Sequence, residues 1–329
     1  MPATRNKETL VRHDTATPDS HQGKAECQDI GAMSSKESRW IHFAQIRRLR
    51  DEFRRTSKRL PQLRQADILF VSHAKSGRPS IRVMISHVFH RLYRTPIDEL
   101  LEFDNIHKID CRALKIIFTE LHNESMIVCV ILAQLAPRKR LRLLVREPRD
   151  VTVSYYFNCA KRSTARARAW RGLPNNLALV GVEKFMLDQR CGLASIIAFM
   201  NRWAAIAACH PAVLLQRYED FRAVPEKHLT ETIRFLGCEA SAAAVEASVE
   251  FASLAALKER ERRHFFASER LRRRDAVDPA SFKVRRGKVG GYRDYLSAKC
   301  IEKADRLAAG TFSPTLDYPV RARSPWSDA

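Results

Sequence analysis

Lys75, Ser76 and Gly77 stand at the break between an apolar run and a stretch of different periodicity. A lysine, a hydroxyl and a glycine in that place can hold an anion. The lysine brings a mobile point charge, and the glycine permits a backbone that a Cβ resists. Arg146 and Ser154 form a second candidate pair, eight residues apart, where an arginine fork and a hydroxyl can converge on one phosphate. The third candidate is the segment from Phe282 to Arg293, which packs five cations and three glycines into twelve residues. Glycines let backbone N–H groups approach an anion, and the cations neutralise it. Taken singly, each also reads as something ordinary: a βα turn with a surface lysine, an arginine at a strand end, a basic loop.

The elements that must position these residues are legible from hydrophobic spacing. Ile68 to Val71 is a short β-branched and aromatic run, consistent with a buried strand. Beyond Gly77, the residues Ile81, Met84, Ile85, Val88, Phe89 and Leu92 recur at helical spacing. Pro79 suits a first helical turn. The segment therefore reads strand, tight basic loop, helix N-terminus, and free N–H groups with the positive dipole end make that an anion site. Ala74, not glycine, stands directly before Lys75, so the ATP-binding pattern G-x-x-x-x-G-K-S/T is absent.

Leu114–Thr119 and Leu141–Val145 read as further strands, the latter followed by a helix through Val153, Tyr156 and Phe157 with Asp150 near its start. Cys191–Cys209 reads as a helix with Ile196, Phe199, Met200 and Trp203 on one side, and Val213–Arg217 as a fourth strand closed by Tyr218-Glu219-Asp220. Leu229–Leu236 is helical and stops at Gly237, residues 240–260 are helical, and 261–278 are arginine-dense and irregular. Strands alternating with helices imply an α/β fold, a single domain with a central parallel sheet flanked by helices. Ligands in such sheets lie off the carboxyl ends of the strands, where Lys75 and Arg146 fall.

Lysine and arginine number 58 against 37 acidic residues, a formal net charge of +21. That surplus favours anionic partners: nucleic acid, a phosphate-rich cofactor or an acidic membrane surface. The eight cysteines are dispersed, with no C-x-x-C pair and no histidine cluster at metal spacing, so no metal site is expected. The longest apolar run, Met126 to Ala136, is too short to span a bilayer, and the N-terminus lacks a secretory apolar core. A cytoplasmic protein with reduced thiols is the expectation. Residues 1–36 read as a disordered tail, 37–64 as a basic lead-in helix, 65–310 as the domain and 311–329 as a C-terminal tail.

Together these segments resemble a known family. Ser72-His73-Ala74-Lys75-Ser76-Gly77 is similar to the P-K-S-G-T-T-W loop of the sulfotransferases that use 3′-phosphoadenosine 5′-phosphosulfate (PAPS). Leu144 to Tyr156 is similar to their R-N-P-x-D-x-x-V-S-x-Y motif, Tyr218-Glu219-Asp220-Phe221 with Pro225 to Y-E-D-L…D-P, and Val284 to Tyr292 to R-K-G-x-x-G-D-W. The four motifs stand in the family's order across residues 65 to 295. The resemblance implies the P-loop-NTPase-like sulfotransferase fold, with PAPS as co-substrate and no metal. It implies that Lys75 stabilises the oxygen bridging sulfate and phosphate. Ser76, Gly77 and the loop amides would hold the 5′-phosphate, with Arg78 able to contact it. Arg146 and Ser154 would take the 3′-phosphate, with Arg285, Arg286 and Gly287 closing over it. Tyr218 would lie near the adenine, and Ser253 weakly matches a further nucleotide contact. The family's general base is a histidine after the second strand; His122 is the candidate here, with Glu120 in reserve.

The chain departs from the family where Arg78-Pro79-Ser80 replaces Thr-Thr-Trp and Gly291-Tyr292 replaces Asp-Trp. The departures keep a catalytically weakened nucleotide-binding relative in view, and the charge keeps a basic nucleic-acid-binding protein in view, although the latter does not account for four motifs in order. The acceptor, a small molecule, carbohydrate or lipid, is not legible. Lys161 to Gln189 reads as a variable lid over its pocket. The oligomeric state, a homodimer included, is open.

Overall fold

The computed structural model describes residues 60–119, 139–272, 282–316 and 318. The sequence-read lead-in helix is therefore seen only from residue 60, where 60–65 are helical. Four strands form one parallel sheet in the order β2-β1-β3-β4: β1 (Ile68–Ser72), β2 (Ile116–Thr119), β3 (Arg140–Val145) and β4 (Val213–Arg217). All five residues of β1 are buried, which explains its unbroken apolar run: a central strand covered on both faces has no polar side.

Side chains alternate between two cores. Ile68 and Phe70 meet Ile81, Met84, Ile85, Val88 and Phe89 of α1 (Arg78–Tyr93) on one face. Leu69 and Val71 meet Ile196, Phe199, Met200 and Trp203 on the other. These last four come from the helix Leu193–Ala208, on the side that its periodicity indicated. Trp203 is fully buried, and truncating such a side chain costs about 3–5 kcal/mol. The fold is thus the α/β architecture expected, with helices on both faces of a parallel sheet.

Two boundaries differ from the sequence reading. Residues 240–260 form two helices, Ala242–Phe251 and Leu254–Arg262, because Ser253 caps the second by accepting from Ala256 N. Residues 311–316 and 318 stay on the domain: Leu316 is fully buried in the second core, and Tyr318 donates to Glu219 at 2.8 Å. The segment read as a lid contains short helices at Ala165–Trp170, Leu177–Val180 and Val182–Met186. Its Leu173, Leu177 and Phe185 pack with Tyr155, Tyr156 and Ala74, beside the Lys75 loop.

β1 pairs with β3, so their carboxyl ends lie side by side. The loop after β1 enters α1, and the turn after β3 enters α3 (Pro148–Lys161), counting the short helix Asn105–Ile109 as α2. Two helix N-termini and two loops thereby converge on one crevice.

Candidate functional site

The loop after β1 is held in an unusual backbone. Lys75 adopts φ 73° and Gly77 φ 94°, both left-handed. The second needs glycine on two counts: a Cβ there would lie 2.2 Å from Tyr218 Cδ2. The first is a non-glycine held against its preference, which costs on the order of 1–3 kcal/mol and persists only where surroundings enforce it. Arg146 supplies part of that enforcement, its Nη1 donating to the Lys75 carbonyl at 3.1 Å. The helix that follows has Gly77 as N-cap, no side-chain cap and no acidic residue in its first turn, and is therefore open to an external anion.

Arg146 sits at the end of β3 and reaches three ways. It braces the Lys75 carbonyl, donates through Nη2 to the Lys288 carbonyl at 3.3 Å, and stands 3.6 Å from Asp150 Oδ2. Its guanidinium also lies over the Tyr218 ring at 4.4 Å. One arginine therefore ties the loop of residue 75 to the glycine-rich segment of residue 288, although 213 residues of chain separate them.

The glycine-rich segment has almost no secondary structure of its own, only a 3-10 turn at Gly291–Asp294. Two buried carboxylates hold it instead. Glu261 accepts from Lys283 N at 2.6 Å and Val284 N at 3.2 Å, and pairs with Arg162 at 3.7 Å. Asp150 accepts from Gly290 N and Tyr292 N, each at 2.8 Å. Charge-assisted bonds of this kind are about twice as strong as neutral ones. Asp150 is marked in the sequence as a helix-start residue and as the aspartate of the R-N-P-x-D motif, whereas nothing in the sequence marks Glu261.

These parts line one pocket, whose walls include Lys75, Gly77, Arg78, Arg146, Ser154, Tyr218, Arg285, Arg286 and Gly287, and further Lys283 and Lys288. Three sequence-read groups, separated along the chain, thus come together. Ser76 belongs to the loop but is buried behind the wall, its N–H donating to the His73 carbonyl at 3.3 Å. Arg78 borders the pocket while its guanidinium donates to Thr119 O at 2.9 Å and Ser72 Oγ at 3.4 Å, tying the ends of β1 and β2. Ser253 does not line the pocket, because its hydroxyl caps a helix; its neighbour Leu254 lies beside Gly287. His122 and Glu120 lie outside the described residues.

The pocket is strongly cationic. Desolvation, with Lys283, Arg162, Arg146 and Arg285 nearby, holds the Lys75 ammonium well below its ordinary pKa. Its Nζ donates to the Lys283 carbonyl at 3.2 Å. Desolvation and the surrounding arginines likewise push Lys283 down to about 8. Arg285 donates to Tyr295 OH at 2.6 Å and lies over Phe157 at 4.2 Å, while Arg286 and Lys288 both pair with Asp294. Such a site is organised to receive several negative charges at once. Among the described residues no group of three or more histidine, cysteine, aspartate or glutamate side chains could hold a metal ion. No helix among them is long and apolar enough to cross a membrane.

Comparison with known proteins bears on the fold and the family. No curated protein sequence matches the chain significantly. The structure is similar to that of retinol dehydratase in a complex with retinol and PAP, with a TM-score of 0.50, 15% identity and coverage of 78% of this chain and 84% of that one. It also aligns with mouse sulfotransferase SULT7A1 complexed with PAP, at a TM-score of 0.49 and 18% identity, covering 75% and 84% of the two chains. Residues 51–315 match the family described as Sulfotransferase domain, which is most of the chain. With the fold, the four motifs and this match in agreement, the chain belongs to the sulfotransferase domain family and is a sulfotransferase.

Proposed function

We propose that the pocket binds PAPS and that the protein transfers its sulfuryl group to a hydroxyl or amine of an acceptor by in-line displacement. The observation that carries this reading is the convergence of Lys75, Arg146 with Ser154, and Arg285 with Gly287 on one wall. A doubly phosphorylated adenosine carries anionic groups at both ends, and two separate cationic loops meeting over one crevice suit it.

In this reading Gly77 and the open N–H groups at the start of α1 hold the 5′-phosphate, with Ser76 supporting their loop from behind, and Arg146, Ser154, Arg285, Arg286 and Gly287 hold the 3′-phosphate. Tyr218, whose ring backs Gly77, borders the adenine side. The acceptor oxygen or nitrogen attacks sulfur, the sulfur–oxygen bond to the 5′-phosphate breaks, and the electron pair stays on the departing phosphate oxygen. Lys75 meets the charge that develops there, and the anionic donor offsets the desolvation and neighbouring cations that hold its pKa down. The acceptor's proton passes to His122, with Glu120 as the reserve base.

Calorimetry with 3′-phosphoadenosine 5′-phosphate (PAP) tests this reading. One-to-one saturable binding to the wild type, lost in Arg146→Ala, is the expected result. Steeply salt-dependent affinity for any DNA with no binding of the nucleotide would replace this function with charge-driven nucleic-acid binding.

A further inference from the structure

Two of the cations that line the pocket meet at one oxygen. Arg285 Nη1 donates to the Tyr295 hydroxyl at 2.6 Å, and Arg286 Nη1 donates to the same atom at 3.1 Å. Both guanidiniums also lie over the Tyr295 ring, at 5.0 and 5.5 Å from its centroid. The ring is held edge-on against Phe157, with 5.0 Å between centroids, and Arg285 covers Phe157 at 4.2 Å. The backbone is fixed as well: Tyr295 N–H donates to the Tyr292 carbonyl at 3.0 Å and closes the 3-10 turn. Tyr295 lines the pocket with the two arginines, yet it stands beyond Val284 to Tyr292, the stretch that carries the motif.

A phenol can accept through its oxygen and has one proton to give. Here two guanidiniums occupy the oxygen, and the hydroxyl makes no further hydrogen bond among the described residues. Two like charges are thereby drawn to one point. Arg286 has Asp294 as a counter-charge, whereas Arg285 pairs with no carboxylate among the described residues. Desolvation, with Arg286 and Arg146 close by, pulls the Arg285 guanidinium below its ordinary pKa. The cluster is short of an anion, and its one unused hydrogen-bonding group is a donor.

We propose that Tyr295 is a specificity-determining residue: its hydroxyl holds Arg285 and Arg286 together and donates its own proton to the phosphate they grip, so that the pocket selects nucleotides carrying a 3′-phosphate over those with a free 3′-hydroxyl. This rests on the PAPS reading given above, which puts Arg285 and Arg286 on the 3′-phosphate. A phosphate monoester brings negative charge and three strong acceptor oxygens, which suit two guanidiniums and one O–H. A 3′-hydroxyl brings one uncharged oxygen and leaves the two cations facing each other. Tyr295 moves no proton to or from the reacting atoms; it selects the nucleotide.

Adenosine 5′-monophosphate lacks the 3′-phosphate, so a pair of titrations isolates the contact. The wild type and Tyr295→Phe are each titrated with PAP and with the 5′-monophosphate. Phenylalanine keeps the ring against Phe157 and removes a single oxygen, so the fold is not at stake. The expected result is that Tyr295→Phe weakens PAP by roughly tenfold or more while the 5′-monophosphate stays within about threefold. Equal losses for both nucleotides would make the hydroxyl a mere brace of the loop and overturn the proposal, as would no loss for PAP. Where the 5′-monophosphate binds too weakly to titrate, the phosphorus NMR spectrum of bound PAP decides. Tyr295→Phe should move the 3′-phosphate signal and leave the 5′-phosphate signal in place; no movement, or equal movement of both, overturns the proposal. A wild type that does not bind PAP removes the PAPS reading and this inference with it. A wild type that binds PAP, with its preference over the 5′-monophosphate unchanged in Tyr295→Phe, removes this inference alone.

Discussion

Two loops build the pocket, and they are made in opposite ways. The loop at residues 73–80 is a product of its own neighbourhood. A buried strand delivers it, a helix receives it, Gly77 allows the turn, and the helix end provides the anion-binding field. The segment at 282–295 has no strand or α-helix to carry it. Its backbone N–H groups are held by Glu261 and Asp150, carboxylates from two distant helices, and its Lys288 carbonyl by Arg146. The first loop is shaped by local geometry and the second by borrowed charge. The first should therefore break through backbone changes and the second through changes that remove charge while leaving shape alone.

The largest effect expected is on chemistry in the first loop. Lys75→Ala should lower sulfate release from PAPS roughly 10²–10³-fold while PAP binding, read by calorimetry, stays within about threefold. Parallel loss of binding would mean that Lys75 is part of the scaffold instead. Backbone comes next. Gly77→Ala should cost about 2–4 kcal/mol of stability in denaturant titration, because its Cβ meets Tyr218 and its φ is left-handed. Gly172→Ala is the control: it shares the left-handed φ, meets nothing within 4 Å, and should cost about 1 kcal/mol.

Charge removal in the second loop follows. Asp150→Asn and Glu261→Gln keep size and shape but exchange a carboxylate for an amide. Each should weaken PAP roughly tenfold and speed amide hydrogen exchange across 283–292, leaving 73–80 protected. Exchange that speeds in both loops together would erase the contrast. The smallest effect is on pH dependence. The folded empty protein holds Lys283 near 8, against an ordinary 10.5, so it binds fewer protons than the unfolded chain between those values. Stability of the empty protein should accordingly rise with pH across that window, and saturating PAPS should flatten the rise in thermal melts.

The contrast between the loops also explains what could be read in advance. The first loop was legible because β1 and α1 announce themselves by periodicity and the anion site follows from where one ends and the other begins. The second was legible only as an unusual mixture of glycine and charge. What holds it was not: Glu261 sits in a run of charged residues, Lys258 to Arg263, that looks solvated throughout, and only packing shows that this one carboxylate is fully buried. Arg142 is a parallel case. In the pattern Leu-Arg-Leu-Leu-Val nothing marks it, yet it is fully buried against Phe70 at 4.2 Å, donates to Gln216 and Thr232, and is pushed down to about 9 by desolvation. Ser253, by contrast, matched a motif weakly and is occupied as a helix cap.

By itself, the order of residues determined the parallel α/β fold, the strand-loop-helix at Lys75 and the four motifs, since each depends on spacing within about twenty residues. Only the tertiary structure decided that Arg146 joins loops 213 residues apart and that Asp150 and Glu261 anchor the second of them. The reason is physical. Periodicity reports which face of an element is buried, whereas the partner of a buried charge is set by which elements the fold brings to the same crevice.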